Sequence, residues 1–282
     1  PFAFGADTIK ELQIITNAFD AQYGNAAGAV INAVSKTGTN DFGGSALYQV
    51  RPKSLVAKIR PVPYDPRGTT NTDKALTKNF TQTQFNVNVG GPIIKDKLHF
   101  FVGVETYKYK EDMTPDFAIG TSSSTNLAAF NTFIGTFGGL VMGNDERTLA
   151  QEGGRSYTND RTNTVYFGRL DWTINENHRA TLRVNAQDWK SENGTTSFTS
   201  SFAPTTGQTQ QGLEKNSGLS WVAELNSIFG SNLVNEARIQ RAIERRPRYA
   251  NTTAAPEFQV NSGFTAGQNN FLPNGLDEYS WQ

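Results

Sequence analysis

The residues able to do chemistry are few and scattered. His99 and His178 are the only histidines, and the chain has no cysteine. A metal centre needs three or four ligands within reach, and neither histidine has a second one nearby in sequence. No metal site and no cofactor is expected. Serine, histidine and aspartate all occur, but no Gly-x-Ser-x-Gly elbow and no Gly-rich phosphate loop ending in Lys-Ser/Thr sets them at a working spacing. The carboxylate pairs Glu111–Asp112 and Asp277–Glu278 fall in polar stretches. A glycosidase would need two carboxyls facing each other across a sugar ring. No catalytic residue is assigned, and no enzyme activity is expected. Arg245 to Arg248 reads RRPR. Its guanidinium groups suit oxyanions, and a solvated loop base accounts for them as well.

The elements that would carry these side chains alternate with period two, the mark of half-buried strands. From Thr164 to Ile174, Tyr166, Gly168, Leu170 and Trp172 share one face, with Arg169 and Asp171 on the other. After a short "NEN", Ala180, Leu182, Val184 and Ala186 alternate with Arg179, Thr181, Arg183 and Asn185. Two further hairpins read the same way. In one, Phe85, Val87 and Val89 turn through "GGPIIKDK" into Leu98, Phe100, Val102 and Val104. In the other, Leu219, Trp221, Ala223 and Leu225 turn near Gly230 into Ala237, Ile239 and Ile243. With a strand near Gly44 to Arg51, this makes seven strands of about 9 to 13 residues. They are joined alternately by short turns and by polar segments near 52–78, 110–162, 190–216 and 245–282. Compact soluble domains rarely hold several loops that long, whereas an outer-membrane barrel has short turns at one end and long loops at the other.

Composition agrees. Hydrophobic residues are 37% and mean hydropathy is −0.50, and no apolar run reaches the roughly 18 residues that a spanning helix requires. Lys and Arg total 26 against 26 for Asp and Glu, so there is no electrostatic case for nucleic acid. In a barrel the apolar face meets lipid and the polar face lines a lumen, where inward charges find partners. Asp171 opposite Arg179 and beside Arg183, and Glu224 opposite Arg238, are the expected lumen pairs. Trp172 near a short turn and Trp221 toward a long loop suit the two interfacial aromatic belts. At the long-loop rim, the RRPR run would then meet lipopolysaccharide phosphates. Phe130, Phe133, Phe137, Phe198 and Phe202 in the loops would add to a ligand-capture surface or belong to mobile loops.

Two motifs resemble a known family. "IKELQIITNAFDAQYGNAAGAVINAVSKTGTNDFGGSALY" (Ile9 to Tyr48) is similar to the end of the plug domain of TonB-dependent outer-membrane receptors. The matching positions are Ile9, Glu11, Ile14, Tyr23, Gly24, Ala27, Gly28, Val30, Ile31, Asn32, Ser35 and Lys36. Ala29 stands where the family usually has Gly, and Ser35 where it usually has Thr. "FNVNVGGPIIKDKLHFFVGVE" (Phe85 to Glu105) resembles the hairpin of Oar-like, outer-membrane-protein-A-related members, through Gly90, Gly91, Pro92, Lys95, Asp96 and Lys97. The motifs cover residues 9 to 105.

The resemblance implies an all-β chain: a partial transmembrane antiparallel barrel over residues 39–282, preceded over 1–38 by the C-terminal part of an α+β plug domain. The full barrel would have about 22 strands, so both ends of the chain are read as cut. It further implies ligand transport across the bacterial outer membrane, driven through the plug by the TonB–ExbB–ExbD complex, with lipopolysaccharide and outer-membrane lipid around the wall. The substrate is not specified. The small residues from Gly24 to Ala29 would let plug backbone pass close to barrel backbone. The rival reading is a soluble extracellular β-rich module that binds glycans or mediates adhesion, its apolar faces packed as a sandwich; a secreted hydrolase stands third.

Overall fold

The computed structural model describes residues 5–15, 30–55, 80–113, 132–143, 146, 148–152, 155–194, 206–259, 265–269 and 279–281. Its first strands, β1 (Ile9–Ile15) and β2 (Val30–Ser35), pair antiparallel, following a 3-10 turn at Ala6–Thr8. Seven long strands follow: β3 (Gly43–Pro52), β4 (Phe80–Ile94), β5 (Leu98–Met113), β6 (Tyr157–Asn175), β7 (His178–Glu192), β8 (Gly212–Phe229) and β9 (Leu233–Arg245). Each pairs antiparallel with the next in chain order, so the sheet is an up-and-down meander. Short pieces complete it. β10 (Arg248–Ala250) folds back on β8, β11 (Phe258–Gln259) pairs with β12 (Thr265–Ala266), and β13 (Tyr279–Trp281) pairs with β9. Among the described residues the sheet does not close on itself.

The number and order of strands match the alternation, but the strands run longer, up to 19 residues in β6 and 18 in β8. Residues 110–113, 157–162, 190–192 and 212–216, expected in long loops, continue the ladders. Glu111 and Asp112 lie on β5 for the same reason. The β4–β5 connection is correspondingly tighter than "GGPIIKDK". Gly90 to Ile94 belong to β4, and only Lys95 to Lys97 form the turn. A register shift between Pro92 and Ile94 accommodates the proline, which cannot donate to a ladder.

The two faces differ as the alternation requires. On β6, Tyr166, Leu170, Trp172 and Ile174 point outward and are exposed, at 48, 37, 49 and 39%. They form an apolar run about as long as the 9–11 residues of a tilted spanning strand. Val165 and Phe167 point inward and are buried; Phe167 packs edge-on against Phe101 of β5 at 6.2 Å. Above the apolar run the same outward face turns polar, through Thr158, Asp160, Thr162 and Thr164. There Lys110 meets Asp160 at 2.8 Å across the ladder, and this pairing raises the lysine pKa. No helix among the described residues is long and apolar enough to cross a membrane, which says nothing of strands.

The polar segments at the long-connection end are packed together in their described parts. Met142, Leu149, Ala255 and Ala266 form a small core, flanked by Phe133, Ile134 and Phe258. These come from connections that leave β5 and β9. Glu152, 1% exposed, accepts hydrogen bonds from the Thr209 amide and hydroxyl, both at 3.0 Å, bringing in the β7–β8 connection. Thr252 donates to the Met142 carbonyl at 2.9 Å, and Asn251 donates to Asn193 Oδ1 at 2.6 Å. Three connections thus share one cap. Of the aromatic residues expected there, Phe133 and Phe137 pack with tilted rings, centroids 5.0 Å apart, while Phe130, Phe198 and Phe202 lie outside the described residues.

Candidate functional site

A set of tight contacts lies where the N-terminal hairpin meets the wall. It begins with Gly38, in the extended segment after β2. A Cβ added there would stand 2.2 Å from the Phe100 carbonyl oxygen and 2.9 Å from that of Gly91. Both obstacles are backbone and neither can swing away. The wall leaves matching room: a Cβ on Gly90 would meet the Phe101 ring and the Cα of Gly38, and one on Gly91 would enter the Phe42 ring at 2.4 Å. Phe42 also faces Phe100, with ring centroids 6.3 Å apart. The glycine pair of the second motif is thus a notch that receives the chain leaving the first.

Asn40 fixes this chain to the β4–β5 turn. Its Nδ2 donates to Asp96 Oδ1 at 2.5 Å, and its Oδ1 accepts from the Asp96 amide at 2.8 Å. With that amide orientation, His99 Nε2, 2.8 Å from the same Oδ1, must be the donor. Asp96 holds a φ of 62°, a left-handed conformation that aspartate tolerates in turns. The turn is tied onward by the Thr173 amide, which donates to the Lys97 carbonyl at 2.7 Å. His99 therefore has a structural partner; His178 packs against Phe229 at 5.5 Å. No metal-holding group of side chains occurs among the described residues.

Upstream of Gly38 the hairpin rests on the wall through polar groups. Arg169 of β6 donates from Nη1 to Ser35 Oγ at 2.8 Å, while its Nε and Nη2 grip Asp171 at 2.8 to 3.0 Å. The Thr8 methyl lies over Gly103, and Gly5 lies against the Glu105 carboxylate. Glu105 also accepts from Gln84 at 2.9 Å and Asn86 at 3.2 Å. Thr8 and Ser35 are buried in this seam. Of the expected packing motif, Asn32 is exposed on β2 and Lys36 donates its amide to the Thr8 carbonyl at 2.8 Å. Val30 and Ile31 pair with Ile15 and Ile14 through their backbones. Tyr23, Gly24, Ala27 and Gly28 lie outside the described residues.

Residues 34–133, which hold Ser35 to Phe42 and strands β3 to β5, match a family model described as an outer membrane beta barrel domain. Among curated proteins, the TonB-dependent transporter Oar of Myxococcus xanthus is 28% identical over 180 residues, covering 63% of this chain and 16% of that protein. Among solved structures, the siderophore receptor PirA from Acinetobacter baumannii matches with a TM-score of 0.51 at 16% identity, over 96% of this chain and 31% of that one; at this identity the likeness speaks for the fold. These findings support the likeness to Oar-like TonB-dependent receptors. The chain spans 16% of the curated relative's length and 31% of the solved structure's chain. The long strands are thus the wall of a partial transmembrane antiparallel barrel in the outer membrane, and the relatives are transporters and receptors.

On the inward face of the sheet the charges stand in rows. Glu224 is in register with Arg238. Asp171 is not opposite Arg179: it pairs with Thr181, whose hydroxyl donates to it at 3.1 Å, and Arg179 faces Thr173. The reason is the turn. β6 runs on to Asn175, whose Oδ1 caps it by accepting from the amides of Asn177 and His178, each at 2.9 Å. That places the ladder two residues away from the expected register. Arg169, which sequence reasoning placed on the polar face but did not select, is the partner of Asp171. Trp172 and Trp221 both lie on the outward face, with Trp221 opposite Val184 and Arg241. At the rim, Arg246 meets Glu244 at 2.7 Å and Arg248 approaches Glu214 at 3.6 Å. Burial works against ionisation of Glu244, but the hydrogen bonds from Arg246 and Asn216 outweigh it and lower its pKa.

Proposed function

We propose that this receptor moves a ligand across the outer membrane by displacing the N-terminal hairpin, the end of a plug, from the inner wall with energy delivered through TonB. The observation that carries the reading is the contrast within one short stretch. At Gly38 to Phe42 the chain is fixed by backbone-tight contacts and by the Asn40 staple. Just upstream, the hairpin is held by a few polar bonds centred on Arg169 and Ser35. Polar bonds exchange with water at modest net cost, about 0.5–1.5 kcal/mol for a neutral pair and about 1.5–3 kcal/mol for one made by a charged group such as Arg169. A pull on the hairpin would therefore break the seam before the anchor. Leu12, Ile14 and Val34 are exposed on the hairpin at 54, 58 and 41%, as expected of a surface covered by further plug structure. The long connections would face outside the cell, with lipopolysaccharide around the outward face and TonB–ExbB–ExbD acting on the plug from the periplasm.

Ser35 reports directly on this. In the full-length receptor, Ser35→Cys introduces a thiol at a position only 5% exposed. In growing cells a thiol reagent confined to the periplasm should label it only when TonB and the proton-motive force are both intact. Equal labelling in cells lacking TonB would rule out energised displacement of the hairpin.

A further inference from the structure

We propose that the inward face of β7 to β9 carries an oxyanion site for a soluble carboxylate ligand, built from Arg183 and Arg238. The argument starts from register. Arg183 stands directly opposite Arg169 on one side and opposite Val222 on the other. Like charges directly opposed across a ladder destabilise it. Arg169 is relieved by its two-pronged grip on Asp171. Arg183 has no such relief, since among the described residues it makes no hydrogen bond or ion pair. Its electrostatic neighbours are the like charges of Arg169 and Arg238 and the opposite charge of Glu224.

One carboxylate, Glu224, stands near both guanidinium groups. It lies opposite Arg238 and one pair along from Val222, between the two arginines, and its Oε1 accepts from Asn226 Nδ2 at 2.7 Å. Away from the rim, over residues 165–175, 178–187, 219–228 and 234–242, the inward rows hold Arg169, Arg179, Arg183 and Arg238 against Asp171, Glu224 and Glu236, four cations to three anions, while Arg161, Glu214 and Glu244 stand higher on the same face. The surplus sits at Arg183, half-buried in the wall. A planar carboxylate reaching Arg183 and Arg238 would take bidentate hydrogen bonds from either and cancel the surplus. The site rests on these strands lining a lumen and not on energy coupling, so its failure and that of the transport mechanism are separable.

The test is arginine footprinting of the full-length receptor in outer-membrane preparations. Phenylglyoxal modification is quantified residue by residue with citrate as the probe anion and chloride at equal ionic strength as control. Citrate should lower modification of Arg183 and Arg238 several-fold, leaving Arg248, which faces Glu214 at the rim, unchanged. Glu224→Gln, which removes the competing carboxylate, should strengthen the protection. Equal effects of chloride and citrate, protection of every arginine alike, or arginines already unreactive before citrate is added would each overturn the site. The wild-type comparison stands if the variant fails to fold.

Discussion

At the scale of single residues, Gly38 is the most constrained position of the seam. A methyl group there collides with two carbonyl oxygens of the wall, so Gly38→Ala forces backbone apart. The expected cost is about 1–3 kcal/mol, seen as lost hydrogen-exchange protection over residues 36–42 in the full-length receptor; unchanged protection would mean that the notch is slack. Arg169 makes a different prediction. Because its guanidinium reaches Ser35 while held by Asp171, a double-mutant cycle with Arg169→Gln and Ser35→Ala should return a coupling of about 1.5–3 kcal/mol. A coupling near zero would assign the hold to solvent. Neither residue stood out in the sequence. The glycine pair at Gly90 and Gly91 did, as part of a motif. That it receives Gly38 and Phe42, some fifty positions earlier, depends on a contact that no local pattern encodes.

At the scale of elements, the strands were legible because a wall with lipid on one side and polar groups on the other must alternate. Their register was less so. A turn one residue longer or shorter changes every cross-strand partner, and the Asn175 cap at the β6–β7 turn has no signature beyond being an asparagine. Strand length was underestimated for a related reason. Above the lipid band both faces are polar, and Thr158 to Thr162 read as loop although they continue the ladder. Tyr109 tests that continuation. It stacks on Phe80 at 6.3 Å and donates to Glu111 at 3.1 Å. Burial, then the Glu111 carboxylate, push its pKa up to about 12. A raised phenol pKa favours the protonated, folded form. Its contribution is therefore intact below about pH 10, the unfolded value, and is lost as pH rises through about 12. Ultraviolet titration of the full-length receptor should show a late tyrosinate component that Tyr109→Phe removes. A Tyr109 that ionises with the bulk would place this stretch of β5 outside the folded ladder.

At the scale of the whole molecule, the outward band fixes what surrounds the barrel. Leu182 lies in that band on β7, opposite Leu170 and Ala223. Leu182→Arg should destabilise the full-length receptor in lipid vesicles by about 2–4 kcal/mol, the cost of an arginine near the bilayer midplane. An effect below about 1 kcal/mol would put the position at an interface and shift the membrane boundary along the strand.

The cap has a consequence for how such a receptor can change. Glu152, Thr209, Asn251 and Thr252 come from three separate connections, yet each completes a bond begun in another. Exchanging one connection for that of a relative would leave a buried carboxylate or amide facing a stranger. The three connections would thus have to change together, through variation on the cap's surface or recombination of the whole unit.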